Sequence, residues 1–136
     1  MRTTSTALAN AMVLIVDDRE DQRSVFRSIA NHLGFGCHIV GSWAEAEAAI
    51  ATIAFDVVLM DWKMPNVDGI QATKLLRAYD EPKGQYTPVI AVTAHAMAED
   101  RKICLDSGMD DYLSKPFSVQ ELHDKIVYWL EQRNKD

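Results

Sequence analysis

Five polar side chains stand where short apolar runs stop. Asp17 and Asp18 follow Met12–Val16, Asp61 follows Asp56–Met60, Thr93 follows Pro88–Val92, and Lys115 comes just after Asp110–Leu113. Runs of this kind read as buried strands, and in an open parallel sheet function gathers at the carboxyl ends of the strands. Brought to one edge, these residues supply three carboxylates, a hydroxyl and an ammonium. Like charges held a few ångströms apart raise each other's pKa, so such a cluster calls for a cation. Lys115 brings one positive charge. The all-oxygen acidic set suits Mg²⁺, which takes few carboxylates and keeps several waters.

A metal beside a carboxylate points to phosphoryl transfer, with Asp61 as a nucleophile that forms an aspartyl-phosphate. The charge of the transition state lies on equatorial oxygens, so the work is positioning and charge neutralisation. Asp18 would hold the metal directly, with Asp17 close behind or acting through water. Thr93 and Lys115 would each meet a different phosphoryl oxygen. No strong base is needed, because a carboxylate is already deprotonated at pH 7. Each residue alone also has an ordinary explanation. Asp18 could cap a helix, Asp61 could be a turn residue, Thr93 a satisfied loop hydroxyl and Lys115 a solvated surface lysine. It is the set that weakens those explanations.

The elements that must position these residues alternate along the chain. Met12–Val16 reads as the first strand. Val25, Phe26, Ile29, Ala30 and Leu33 recur at helical spacing, and Gly34 is the expected stop. Cys37–Val40 is a second strand, and Ser42 with Glu45 stands at capping-box spacing before a second helix. Asp56–Met60 is a third strand, residues 64–69 are loop, Ile70–Tyr79 is a third helix, and residues 80–87 are a linking loop. Pro88–Val92 is a fourth strand, followed by a helix over Met97–Ser107 that Gly108 stops. Asp110–Leu113 is a fifth strand. Ser118 with Glu121 is a further capping box, opening a helix whose stripe includes Leu122, Ile126 and Leu130. Five continuous apolar strands joined by helical crossovers predict an α/β fold with a parallel sheet covered on both faces.

The chain has 136 residues, 48% hydrophobic and 25% charged, with a net charge of −6. That balance is ordinary for a globular domain, and a chain this long buries roughly two-thirds of its unfolded surface. The acidic charge argues against direct nucleic-acid binding. No run approaches the ~18 apolar residues of a membrane span, so no membrane insertion is expected. Cys37 and Cys104 form no CxxC pair, which points away from a disulfide scaffold and toward a reducing cytoplasm. Gly34-Phe35-Gly36 is no phosphate loop, and His32 and His123 are read as surface residues rather than phosphate donors.

Four strings carry a family resemblance. They are Val-Leu-Ile-Val-Asp-Asp at 13–18, Val-Val-Leu-Met-Asp-Trp-Lys-Met-Pro-Asn-Val-Asp-Gly at 57–69, Val-Ile-Ala-Val-Thr-Ala at 89–94, and Gly-Met-Asp-Asp-Tyr-Leu-Ser-Lys-Pro-Phe at 108–117. In this order they resemble the receiver domain of two-component response regulators, and the stretch from Val92 to Phe117 looks most like receivers of hybrid sensor kinases. The resemblance runs from about Met12 to the last helix. It implies a single receiver domain over residues 11–133, either standing alone or excised from a longer protein; the small, polar residues 1–10 before it, with Thr3, Thr4, Ser5 and Thr6, are read as a flexible segment. The implied fold is flavodoxin-like, a doubly wound (βα)5 with strand order 2-1-3-4-5.

The resemblance also implies roles. Asp61 matches the phospho-acceptor. Asp17, Asp18 and Asp61, with the Lys63 backbone carbonyl, match the ligands of Mg²⁺, or of Mn²⁺ in its place. Thr93 matches the switch hydroxyl, Tyr112 the aromatic whose ring moves inward with it, and Lys115 the lysine that bonds the acceptor and then its phosphate. The Lys115–Pro116 peptide is implied to be cis. Lys63 and His95 border the path of the hydrolytic water and would tune the phosphate's lifetime, against the plainer reading that both point to solvent. The donor would be a phosphohistidine on a histidine kinase or a histidine phosphotransfer protein. Output would pass to a protein target through a surface including Ala98, Arg101, Lys102, Asp111, Tyr112 and Lys125. The expected chemistry is self-phosphorylation and autodephosphorylation, not turnover as an enzyme.

Two rivals remain on the sequence. A haloacid-dehalogenase-type phosphatase also uses an Asp after a strand, but it needs a second Asp two residues on, where this chain has Lys63. A binding-only pseudo-receiver would ignore phosphate, and the full acidic set with Lys115 argues against it.

Overall fold

The computed structural model describes residues 8–94 and 97–133. Among these, five strands alternate with five helices: β1 (Met12–Val16), α1 (Glu20–Leu33), β2 (Gly36–Val40), α2 (Trp43–Ile50), β3 (Val57–Met60), α3 (Gly69–Asp80), β4 (Val89–Thr93), α4 (Ala98–Asp106), β5 (Asp111–Ser114) and α5 (Val119–Arg133). A 3₁₀ turn at Glu81–Lys83 interrupts the loop after α3. All neighbouring strands are parallel, in the order β2-β1-β3-β4-β5. Fold class and strand order are those expected, and element boundaries shift by one residue at several ends.

The apolar runs are continuous because both faces of the sheet are covered. Successive side chains point to opposite faces. Leu14, Val16, Val58, Met60, Val89 and Ala91 pack with Trp43, Ala46, Ala72, Leu76 and Cys104 from α2, α3 and α4. Val13, Ile15, Val57, Leu59, Ile90 and Val92 pack on the other side with Phe26, Ile29, Leu122, Ile126 and Leu130 from α1 and α5. Each fully buried Val, Leu, Ile, Met or Phe among them contributes about 1.5–3 kcal/mol of hydrophobic stabilisation. Leu8 joins the second cluster at 3% exposure, and the Ala11 N–H donates to its carbonyl. The packed chain therefore reaches back into the segment 1–10 that was expected to be flexible, because an apolar side chain there finds a place in the core.

Helix ends differ from the sequence reading in informative ways. The Ser118–Glu121 box is reciprocal, with both bonds made. At α2 the Ser42 hydroxyl accepts from the Glu45 N–H, but the Glu45 carboxylate reaches one residue further back, to the Gly41 N–H. A third box, Asp68 with Gln71, opens α3 inside the stretch read as loop. Asp18 does not cap α1. The N-cap position is Arg19, and its side chain makes no cap bond.

Candidate functional site

Strand register sets the site. Val16 pairs with Val40 on one side and Met60 on the other, and Met60 pairs with Ala91. The ladder then runs one step past the strands: the Asp17 N–H donates to the Val40 carbonyl and the Asp61 N–H to the Val16 carbonyl, each at 3.0 Å. Asp17 and Asp61 are thus held side by side at the carboxyl edge. With Asp18 they bring carboxylate oxygens within 4.8 Å of one another. Asp17 is 1% exposed and Asp61 7%, while Asp18 stands at the rim.

Two side chains complete the edge. Thr93 is the last residue of β4, pairs in register with Ser114 and is buried. The Lys115 N–H donates to the Thr93 carbonyl at 2.9 Å, so the lysine leaves β5 toward the cluster. The Lys115–Pro116 peptide is cis. Lys115 Nζ donates to Asp17 Oδ2 at 3.1 Å, and Asp17 Oδ1 accepts from the Arg19 N–H. The resemblance put this ammonium on the acceptor itself. Here it bonds Asp17, the more buried carboxylate, and acts on Asp61 through its charge.

Burial pushes the Asp61 carboxyl up to about 6, and the neighbouring charges of Asp17 and Asp18 push the same way. Lys115 and the Trp62 N–H pull against them. One ammonium does not balance three carboxylates, and a carboxylate in this setting is short of positive charge. The donors are all hard oxygens from acidic side chains, the set that fits a hard divalent cation such as Mg²⁺ better than a metal that prefers thiolate or imidazole.

A close backbone approach, not recognised in the sequence, fixes the acceptor loop. The Gly69 N–H donates to the Trp62 carbonyl at 2.8 Å, and a Cβ at Gly69 would run into the Asp61 carbonyl oxygen and stand 2.9 Å from Trp62 Cα. The first turn of α3 can lie against Asp61–Trp62 only because residue 69 lacks a side chain. The usable signal was a glycine directly after the Asp68 cap.

Tyr112 already lies inside. It is 4% exposed, its hydroxyl is buried without a hydrogen-bond partner, and the Arg101 guanidinium sits 5.6 Å from the ring centre. Lys63 is exposed, with Nζ 4.1 Å over the Trp62 ring. His95 lies outside the described residues. On the expected output surface, Lys102 pairs with Asp106 along α4. Asp111 is not a free surface carboxylate: it accepts from Lys125 Nζ at 2.7 Å and from Trp129 Nε1 at 2.8 Å, tying β5 to α5. No described helix is long and apolar enough to cross a membrane.

The family model of the response regulator receiver domain matches residues 13–127. The sensor protein GacS of Pseudomonas syringae pv. syringae is 40% identical over 118 residues, which are 86% of this chain and 13% of that protein. The chain spans 13–14% of the length of several such curated relatives. Among solved structures, the receiver domain of the sensor histidine kinase PA1611 from Pseudomonas aeruginosa PAO1, with a magnesium ion in its active site cleft, is 33% identical. It superposes with a TM-score of 0.80 over 90% of this chain and 98% of that one. A chain of the co-crystal structure of the Saccharomyces cerevisiae phosphotransfer protein Ypd1 with the Ssk1 receiver domain matches at 25% identity and TM-score 0.83, covering 91% of each chain. Matched along almost its whole sheet and helices, and carrying its acidic cluster at the carboxyl edge of that sheet, the chain belongs to the response regulator receiver domains of two-component systems.

Proposed function

We propose that Asp61 accepts a phosphoryl group from a phosphohistidine and that the modified domain passes the signal to another protein. The observation that carries this is the packing of Asp17, Asp18 and Asp61 within 4.8 Å of one another at the sheet edge, with Lys115 beside them. A carboxylate oxygen of Asp61 attacks phosphorus as the N–P bond of the phosphohistidine breaks, and the imidazole nitrogen leaves with the electron pair and takes up a proton. Asp17, Asp18, Asp61 and the Lys63 carbonyl would hold Mg²⁺, or Mn²⁺ in its place, which offsets charge on the transferring oxygens. Lys115 and Thr93 would each bond a phosphoryl oxygen. Donors of the histidine kinase and phosphotransfer classes are supported by the likeness to receivers of such systems, and the free thiols of Cys37 and Cys104 fit a cytoplasmic setting.

Thr93 and Tyr112 then form the switch. Thr93 turns toward the phosphoryl group, the inward position of Tyr112 is favoured, and the surface of α4, β5 and α5 is biased to one of its two states. Lys63 and His95 set the lifetime of the phosphate. Positive charge at Lys63 stabilises a dianion two residues away, so Lys63→Ala should dephosphorylate faster; an unchanged rate removes Lys63 from this role. The switch unit proposed is the domain over residues 11–133, acting as a stoichiometric acceptor. A haloacid-dehalogenase-type reading is not favoured, since Lys63 occupies the place of its second Asp.

Trp62 tests this reading, being buried next to Asp61. Its fluorescence should change on adding Mg²⁺ and again on adding beryllofluoride, and the change should vanish in Trp62→Phe. A flat titration would support the binding-only alternative.

A further inference from the structure

Arg23 belongs to α1 and lies outside the carboxylate cluster, yet its side chain turns back over the loop between β1 and α1. There Nη1 donates to the main-chain carbonyl of Asp17 at 2.8 Å. The Asp17 amide is held from the other side by the Val40 carbonyl. Both backbone polar groups of Asp17 are therefore fixed, one by the sheet and one by Arg23. The Asp17 side chain is held as well, by the Arg19 N–H and by Lys115 Nζ, but the N-cap position of α1, Arg19, gives the helix start no side-chain cap bond, and the bond to the Asp17 carbonyl comes from Arg23.

The turn between β2 and α2 makes room for this guanidinium. A Cβ at Gly41 would stand 2.9 Å from Arg23 Nη1. The Glu45 carboxylate accepts the Gly41 N–H at 2.8 Å and shapes that turn. Charge alone does not explain the arrangement. A guanidinium behind a cluster that is to take a dication repels the ion it stands near. Its use is geometric.

We propose that Arg23 is a positioning residue for the divalent-ion site: by bonding the Asp17 carbonyl it sets the direction in which the Asp17 and Asp18 carboxylates leave the sheet edge, and Gly41 is the gap that admits it. This rests on reading Asp17, Asp18 and Asp61 as the ion site.

Mg²⁺ titration of the full chain by calorimetry tests it, with metal-free melting temperatures measured alongside. Arg23→Ala should weaken Mg²⁺ binding about tenfold, the scale on which supporting residues affect metal sites. Gly41→Ala should do the same while Arg23 is still present, because the added methyl displaces the flexible end of its side chain. Arg19→Ala removes an equal charge at the N-cap of the same helix, where the Arg19 side chain bonds the exposed Asp21 and not the Asp17 carbonyl, and should leave binding unchanged or slightly tighter. A purely Coulombic effect has the opposite sign, tightening Mg²⁺ binding in both arginine variants, and would overturn the proposal. Lower melting temperatures with wild-type affinity in Arg23→Ala and Gly41→Ala would also overturn it, by leaving Arg23 a merely structural role. Should Arg23→Ala not fold, Gly41→Ala decides. Wild type that takes up no Mg²⁺ would refute the ion site and this proposal together, whereas wild-type binding with unaltered variants would refute only the role of Arg23.

Discussion

At the scale of single residues, the site is built from groups that the fold holds against their preference. Asp61 is the clearest. Its carboxyl is pushed up to about 6, chiefly by burial, so above that pH its charge costs the folded domain on the order of 2–3 kcal/mol relative to the unfolded chain. Because the folded pKa is raised, the folded state binds the extra proton between about 4 and 6, and metal-free stability falls as pH rises through that window. Asp61→Asn should accordingly melt higher than wild type at pH 7 without metal, with the gap closing below about pH 4; equal melting curves at pH 7 would contradict the assigned burial. Tyr112 is a second such group. Its buried hydroxyl has no partner, a deficit of about 1–3 kcal/mol. Tyr112→Phe should be neutral or more stable by denaturant unfolding, and a loss above ~1 kcal/mol would show that the hydroxyl is satisfied in solution. Gly69 is a third. Gly69→Ala must push α3 away from the Asp61 carbonyl, so it should both destabilise the domain by about 3 kcal/mol and impair phosphorylation.

At the scale of elements, a polar knot at the amino edge of the sheet holds three segments together. Arg77 of α3 donates to the Gly108 carbonyl, the Thr87 carbonyl and Asp110 Oδ2, and its guanidinium lies 4.0 Å from the Tyr86 ring centre. Asp110 also accepts from the Val89 N–H and from the Tyr86 hydroxyl. Arg77→Ala would leave a largely buried carboxylate without its cation and should cost about 3 kcal/mol in chemical denaturation. Adding Asp110→Asn should recover part of that loss, and strict additivity would refute the coupling. None of this knot is legible in the sequence. Arg77 and Asp110 lie far apart in the chain, and a polar contact between distant residues leaves no periodic trace. The strands were legible for the opposite reason. Burial on both faces removes polar residues from the whole run, so the first polar residue after each run marks the sheet edge, as at Asp17, Asp61 and Thr93. Gly69 and Arg23 escaped for want of such a mark. One acts through the side chain it lacks, the other through a single bond to a backbone carbonyl.

At the scale of the whole molecule, the domain is a sheet with a charge imbalance at one end and a pinned knot at the other. Relieving the imbalance should stabilise the whole domain. Mg²⁺ at a hundred times its dissociation constant should add about 2.7 kcal/mol if it binds only the folded state, seen as a rise in melting temperature that Asp18→Ala abolishes. In the proposed switch, phosphorylation then adds charge for Thr93 and Lys115 to meet. The response should appear at α4, β5 and α5, with the edge around Arg77 and Asp110 unmoved. The central claim is that one oxygen of Asp61 becomes an acyl phosphate. Intact-mass measurement after acetyl phosphate and Mg²⁺ treatment tests it most directly. Wild type should gain one phosphoryl group, lost on removing Mg²⁺ beforehand, and Asp61→Ala should gain none; an unmodified wild type, or equal gain in Asp61→Ala, would contradict the account.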